Sequence, residues 1–236
     1  MTARFVQKYL LVFACLWAVG VQAQEVSPLA YYTDSKGIAQ ESKSIDDGEA
    51  PLTVTFQANP KGIDGWIPSY EWHFVHTPVG ESAREIFVRY EENTSYTFVE
   101  SGTYKITLRT TLTNDSDMVT LDPDVVSVTI AESKLEFPNA FSPNGDGIND
   151  IYKAKDGYKS IVEFKAIILN RWGQKLYEWT DPAGGWNGQF HGHDVAQGVY
   201  FVLVKAKGAD GIDYNIKKDV NLLRGYIKDG NTSKGK

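Results

Sequence analysis

Alternation of period two, with nothing that reads as a long amphipathic helix, most restricts what this chain can fold into. In Pro51–Gln57, Leu52, Val54 and Phe56 alternate with Thr53, Thr55 and Gln57. In Ser69–Val75, Tyr70, Trp72 and Phe74 share one face. Gly102–Thr110 repeats the pattern with Tyr104, Ile106 and Leu108, introduced by Tyr96–Phe98, and Val125–Ile130 closes the series. Successive strand side chains point to opposite sides of a sheet, so each run buries one face and wets the other. Strands of this length and spacing describe an immunoglobulin-like sandwich. Trp72 reads as core filling, whereas Trp66 in the loop 61–68 reads as exposed and available for contact. Residues 25–50 are polar and read as an edge strand or a leader into a turn.

Beyond residue 132 the chain changes character. Phe137-Pro-Asn-Ala-Phe-Ser-Pro-Asn-Gly-Asp-Gly-Ile-Asn-Asp150 packs two prolines, two glycines and five Asn or Asp residues into fourteen positions. No helix or central strand survives that composition, so the segment is an ordered turn system. Phe137, Phe141 and Ile148 are expected to pin it to a core. After it come Ile161–Leu169 and Lys175–Trp179, a hairpin around Asn170-Arg171-Trp172-Gly173-Gln174. Ile168, Leu176 and Trp179 share its apolar side. Gly184–Gly188 is a tight turn whose Trp186 can cap the sandwich. Val199–Val204, within a strand over 198–206, is the most apolar run and reads as central. The segment 213–223 alternates Val220 and Leu222 with charged neighbours, as a strand with one wet face does.

The beginning of the chain reads as an export address. Arg4 and Lys8 precede the apolar stretch Tyr9–Val21, and Ala23 is the small residue a signal peptidase needs, with cleavage before Gln24. That apolar stretch is shorter than the roughly 20 residues that span a bilayer, so the mature chain is expected to lack a transmembrane segment. Cleavage removes Cys15, the only cysteine, and with it any disulfide, thiol nucleophile or cysteine metal site. It also leaves 22 basic against 30 acidic residues, a balance of −8. An acidic surface argues against nucleic acid or anionic lipid as partner. The mature length suits two domains of about 100 residues. The expected division is 1–23 signal peptide, 24–132 first sandwich, 133–225 second sandwich and 226–236 flexible tail, an all-β protein of two Ig-like sandwiches in tandem.

Little in the sequence points to catalysis. There is no G-x-S-x-G elbow, no H-E-x-x-H, no P-loop and no dinucleotide fingerprint. Glu91–Glu92 and Asp122 with Asp124 lie in charged turns, where solvation explains them, so the chain is read as no enzyme. Asn144, Asp146 and Asp150 partly match calcium loops that place hard oxygens at alternate positions. The match breaks at Ile148, and no closing glutamate follows; self-bonded Asx turns are the competing reading. His191 and His193 lack a third imidazole nearby, so no metal is assigned to them.

Two resemblances complete the reading. FPNAFSPNGDGIND at 137–150, ILNRWGQKLYEW at 168–179, GWNG at 185–188, QGVYFVLVKA at 197–206 and VNLLRG at 220–225 together resemble the type B C-terminal sorting domain of the Bacteroidota type IX secretion system. This module is also described as the gliding-motility-associated C-terminal domain. The resemblance implies an exported protein at the outer membrane or cell surface, or secreted. It implies partners among type IX translocon subunits and PorP/SprF-like outer-membrane barrels. The sorting or partner-binding residues it implies are Phe141, Pro143, Asn144, Gly145, Asp146, Gly147, Asn149, Asp150, Asn170, Arg171, Trp172, Gly173, Trp186, Gly188, Gly198, Tyr200 and Arg224. The tail 226–236 continues past the family's pattern. Gly48–Phe56, Tyr70–Phe74 and Tyr96–Leu108 resemble the PKD domain, which implies display or spacing. Here the Trp strand is followed by His73–Gly80, in place of that family's usual Asp-Gly turn. The expected role is a surface component or signalling factor of the secretion system; the competing one is a small adhesin or glycan binder that uses the sorting domain only as an address.

Overall fold

The computed structural model describes residues 23–224. All of the expected signal peptide but Ala23, and the 226–236 tail, lie outside the described residues. No helix among the described residues is long and apolar enough to cross a membrane.

The first sandwich contains β1 (Glu25–Val26), β2 (Leu29–Thr33), β3 (Ala39–Ser42), β4 (Ser44–Gly48), β5 (Leu52–Gln57), β6 (Pro60–Lys61), β7 (Ile67–Thr77), β8 (Arg84–Arg89), β9 (Asn93–Phe98), β10 (Gly102–Thr113), β11 (Met118–Thr120) and β12 (Asp124–Ile130). One sheet has the order β3-β2-β5-β9, and the sheet facing it has β4-β12-β10-β7-β8, with β11 paired to β10. Parallel pairing of β4 with β12 closes one edge. Phe56 reaches across from β5 to Trp72 and Phe74 of β7, with ring centroids 6.1 and 5.5 Å away. Burying each such side chain stabilises the fold by roughly 1.5–3 kcal/mol. The indole N–H of Trp72 donates to the Glu91 carbonyl at 2.9 Å, which makes this polar atom affordable in the core.

The second domain contains β13 (Ala140–Phe141), β14 (Tyr152–Lys153), β15 (Ile161–Leu169), β16 (Lys175–Trp179), β17 (Gly185–Trp186), β18 (Gln189–Phe190), β19 (His193–Asp194), β20 (Gly198–Gly208) and β21 (Asp213–Leu222). Its one large sheet runs β13-β21-β20-β15-β16, so β20 is central, as its apolar sequence predicts. The facing layer consists of two short ladders, β14-β17 and β18-β19, and the ordered turns between them. Phe137, Phe141, Tyr152, Ile168, Trp186, Val202, Val220 and Leu222 form the core between the layers. All-β tandem sandwiches are therefore the architecture.

Several local expectations are corrected. Residues 25–50 form four strands where one edge strand or a leader was expected: β3 and β4 do lie at sheet edges, but β2 lies inside its sheet, with Ala30 buried against the core. Trp66 is half-buried, not exposed. Ile148 faces solvent and pins nothing, leaving Phe137 and Phe141 to anchor the turn system. The segment after Trp72 continues as strand to Thr77, because His76 is buried and stacks on Tyr104 with centroids 4.0 Å apart.

Candidate functional site at the far end of the second domain

Strand register gathers the singled-out residues at one end. Gly198 lies opposite Leu222, Phe201 opposite Leu169, and Phe141 alongside Leu222. The loop 142–150, the hairpin tip 170–174 and the end of β21 therefore share one pole of the sheet. At the other pole Ile161 lies opposite Gly208, next to the first domain.

Within the 142–150 loop, the Asp150 carboxylate accepts the N–H groups of Asn144, Gly145 and Gly147, each at 2.8 Å. Donation by Gly145 and Gly147 holds its pKa below the ordinary carboxylate value, against a small opposing push from burial. Asp146 accepts the Ile148 N–H at 2.8 Å, and the Asn144 side chain accepts the Asp146 N–H at 3.1 Å. Gly145 and Gly147 both adopt φ of 81°, where a side chain would be strained. Carboxylates of the candidate calcium residues are thus turned onto the loop's own backbone, the Asx-turn alternative. Among the described residues no group of three His, Cys, Asp or Glu side chains is placed to hold a metal ion.

Arg224 ties the pole together. Its guanidinium donates to the carbonyls of Gly188 at 2.7 Å, Val195 at 3.1 Å and Pro143 at 3.2 Å, and pairs with Asp194 at 3.2 Å. The planar fork of an arginine suits three separate acceptors in a way an ammonium does not. Gly188 has φ of 79°, and a Cβ there would lie 3.0 Å from Pro143 and 3.2 Å from both Arg224 and Leu222. Trp186 is fully buried, donates to the Gln189 carbonyl at 2.7 Å and packs edge-on to Tyr200. The Tyr200 hydroxyl donates to the Ala196 carbonyl at 2.6 Å. Phe141, Trp186, Gly188, Tyr200 and Arg224 thus build the pole from within.

The hairpin tip differs, because it presents side chains outward. Asn170 accepts the N–H groups of Trp172 and Gln174 at 3.0 Å each, and Gly173 takes φ of 78°. On this fixed turn Trp172 is 75 % exposed, with the Arg171 guanidinium 4.2 Å over its ring. Beside it, Val199 and Phe201 point out of the sheet, 49 % and 38 % exposed, an apolar stripe that the continuous run VYFVLV conceals in the sequence. At the sheet edge, Glu178 lies 2.8 Å from both Lys165 and Lys175, whose hydrogen bonds bring its carboxyl to about 2. Such charges discourage unspecific pairing of an open edge strand. Of the predicted residues, Phe141, Pro143, Gly188, Trp186, Tyr200 and Arg224 meet in the pole's interior; Asn170, Arg171, Trp172 and Gly173 make their contacts within their own turn. Val195 and Ala196, whose carbonyls accept from Arg224 and Tyr200, carry no motif in the sequence and were missed.

Comparison with known proteins places this domain. Residues 135–219 match the family model described as the CHU_C type IX secretion signal domain. No curated protein matches the chain. Among solved structures, the chain is similar to the FN1-FN3 domains of chicken CNTN1, at 11% identity over 79% of this chain and 70% of that one, with a TM-score of 0.31. It is also similar to the tetra-tandem repeat in the extending region of a large adhesion protein, at 13% identity over 86% and 68%, with a TM-score of 0.26. The sequence blocks and the family match agree: residues 135–219 form a type IX secretion signal domain, which implies export by that system to the cell surface or secretion.

Proposed function

We propose that the protein is a non-enzymatic exported component of the type IX secretion system that docks through the far pole of its second domain. The partner class is the translocon and a PorP/SprF-like outer-membrane barrel, and the role is that of a surface component or signalling factor. The observation that carries this reading is Trp172, held out on a turn whose backbone is closed by Asn170, at the pole opposite the first domain. Exposed tryptophan and arginine on a rigid support are what partner recognition uses most, because they bring large contact area at little entropic cost. Val199 and Phe201 extend the same surface with apolar area.

Crosslinking of envelopes that carry wild-type or Trp172→Ala protein tests the proposal. Wild type recovers a barrel or translocon subunit, and the variant recovers several-fold less at unchanged thermal stability. Equal recovery from both refutes docking through this pole.

A further inference from the structure

The turn between β20 and β21 leaves its own domain and seals the other one. Ala209 is buried as part of the apolar cluster of the first sandwich, and Val162 packs against the same cluster. The Ser101 N–H donates to the Ala209 carbonyl at 2.9 Å, and the Ala209 N–H donates to the Ser160 carbonyl at 2.9 Å. On the first-domain side, a ring nitrogen of buried His76 lies 3.0 Å from the Ser101 carbonyl, which fixes the peptide that meets Ala209. Ser160 in turn accepts the Ala50 N–H through its hydroxyl at 3.2 Å. Two segments of the first domain, at Ala50 and Ser101, are thus bonded to the second through a short side chain and backbone.

The connection between the domains is closed by the same turn. Asp210 accepts both the N–H and the hydroxyl of Ser133 at 2.8 Å, and the Tyr214 hydroxyl lies 2.8 Å from the same Ser133 oxygen. A Cβ at Gly208 would collide with the Ser133 side chain, so a residue without one stands there. Ala131 donates to the Gly48 carbonyl, Lys134 and Lys159 exchange two backbone bonds, and Leu135 is buried. A protease needs an extended segment free of such bonds, and here freeing one means undoing the joint.

We infer that the Gly208–Ile212 turn is an interdomain lock, which makes the signal domain and its companion one rigid body that is delivered and kept in one piece. One consequence is that the first domain sits at a fixed orientation to the far pole of the second. Another is that the signal domain is not a detachable tag.

Nitrogen-15 relaxation on residues 24–236 tests the lock directly. One rotational correlation time shared by both sandwiches is expected; two shorter, distinct ones overturn it. Trypsin cleavage after Lys134, followed by mass spectrometry, provides a second readout. Asp210→Ala, which removes a charged acceptor, is expected to speed this cut about tenfold or more, and Ser133→Ala to speed it less. Equal rates in wild type and both variants overturn the lock. Mature chain isolated from cells should have the mass of residues 24–236 intact; a fragment ending between 131 and 137 overturns retention.

Discussion

Replacing Arg224 by alanine removes the guanidinium that joins three turns. Three hydrogen bonds to the carbonyls of Gly188, Val195 and Pro143 are lost. At about 1 kcal/mol net for each, the loss is about 3 kcal/mol. The ion pair to Asp194 adds little, because that carboxylate is 60 % exposed and surface pairs are worth under about 1 kcal/mol. The Gly188 carbonyl keeps the Val195 N–H as a donor, so the penalty is not raised by an orphaned acceptor there. A domain pair of this size loses roughly 2–4 °C in Tm per kcal/mol, which gives a fall of about 6–12 °C by calorimetry or circular dichroism. Arg224→Lys should recover only part of it, since an ammonium cannot serve all three acceptors at once. A Tm within about 1 °C of wild type for the alanine variant would refute the clamp, since one net hydrogen bond alone shifts it more than that. Full recovery by lysine would show that charge, not the fork, matters.

Gly188→Ala meets both positive φ and close contacts with Pro143, Arg224 and Leu222, and should destabilise by at least about 1 kcal/mol in urea titration. Asp150 has its folded-state pKa lowered by the Gly145 and Gly147 N–H bonds, so its contribution is present above the ordinary value of about 4 and is lost as pH falls through the lower folded value. Asp150→Asn should therefore show a smaller drop in Tm between pH 7 and pH 3 than wild type does; an equal drop contradicts the assignment. Calcium in millimolar excess, or its removal by chelator, should leave Tm unchanged, because the Asp146 and Asp150 carboxylates accept N–H groups within the loop; a calcium-dependent rise of several degrees would favour the calcium-loop reading instead.

How much was legible follows from what each segment buries. The strands at 161–169 and 175–179 were readable to the residue because alternation and turn residues bracket both ends. The strands before residue 50 were not, since their buried members are Ala30, Ile45 and Gly48, too small or too isolated to make a periodic signal, and β4 pairs with a partner some eighty residues away. In the second domain the residues of the far pole were identified by resemblance, but the role of Arg224 depends on turns at 143, 188 and 195 meeting around one side chain. A run as uniformly apolar as Val199–Val204 hides which members face out. Nothing in Ala209-Asp210 distinguishes it from an ordinary hairpin turn, and its function appears only when Ser101, Ser133 and Ser160 arrive beside it.

Whether the C-terminal sandwich carries the export instruction is tested most directly by the fraction of protein found outside the cell for the full chain and for a chain ending at Glu132, both expressed in the native host. Export of the full chain with retention of the shortened one in the periplasm is the predicted result; equal export of both would contradict it.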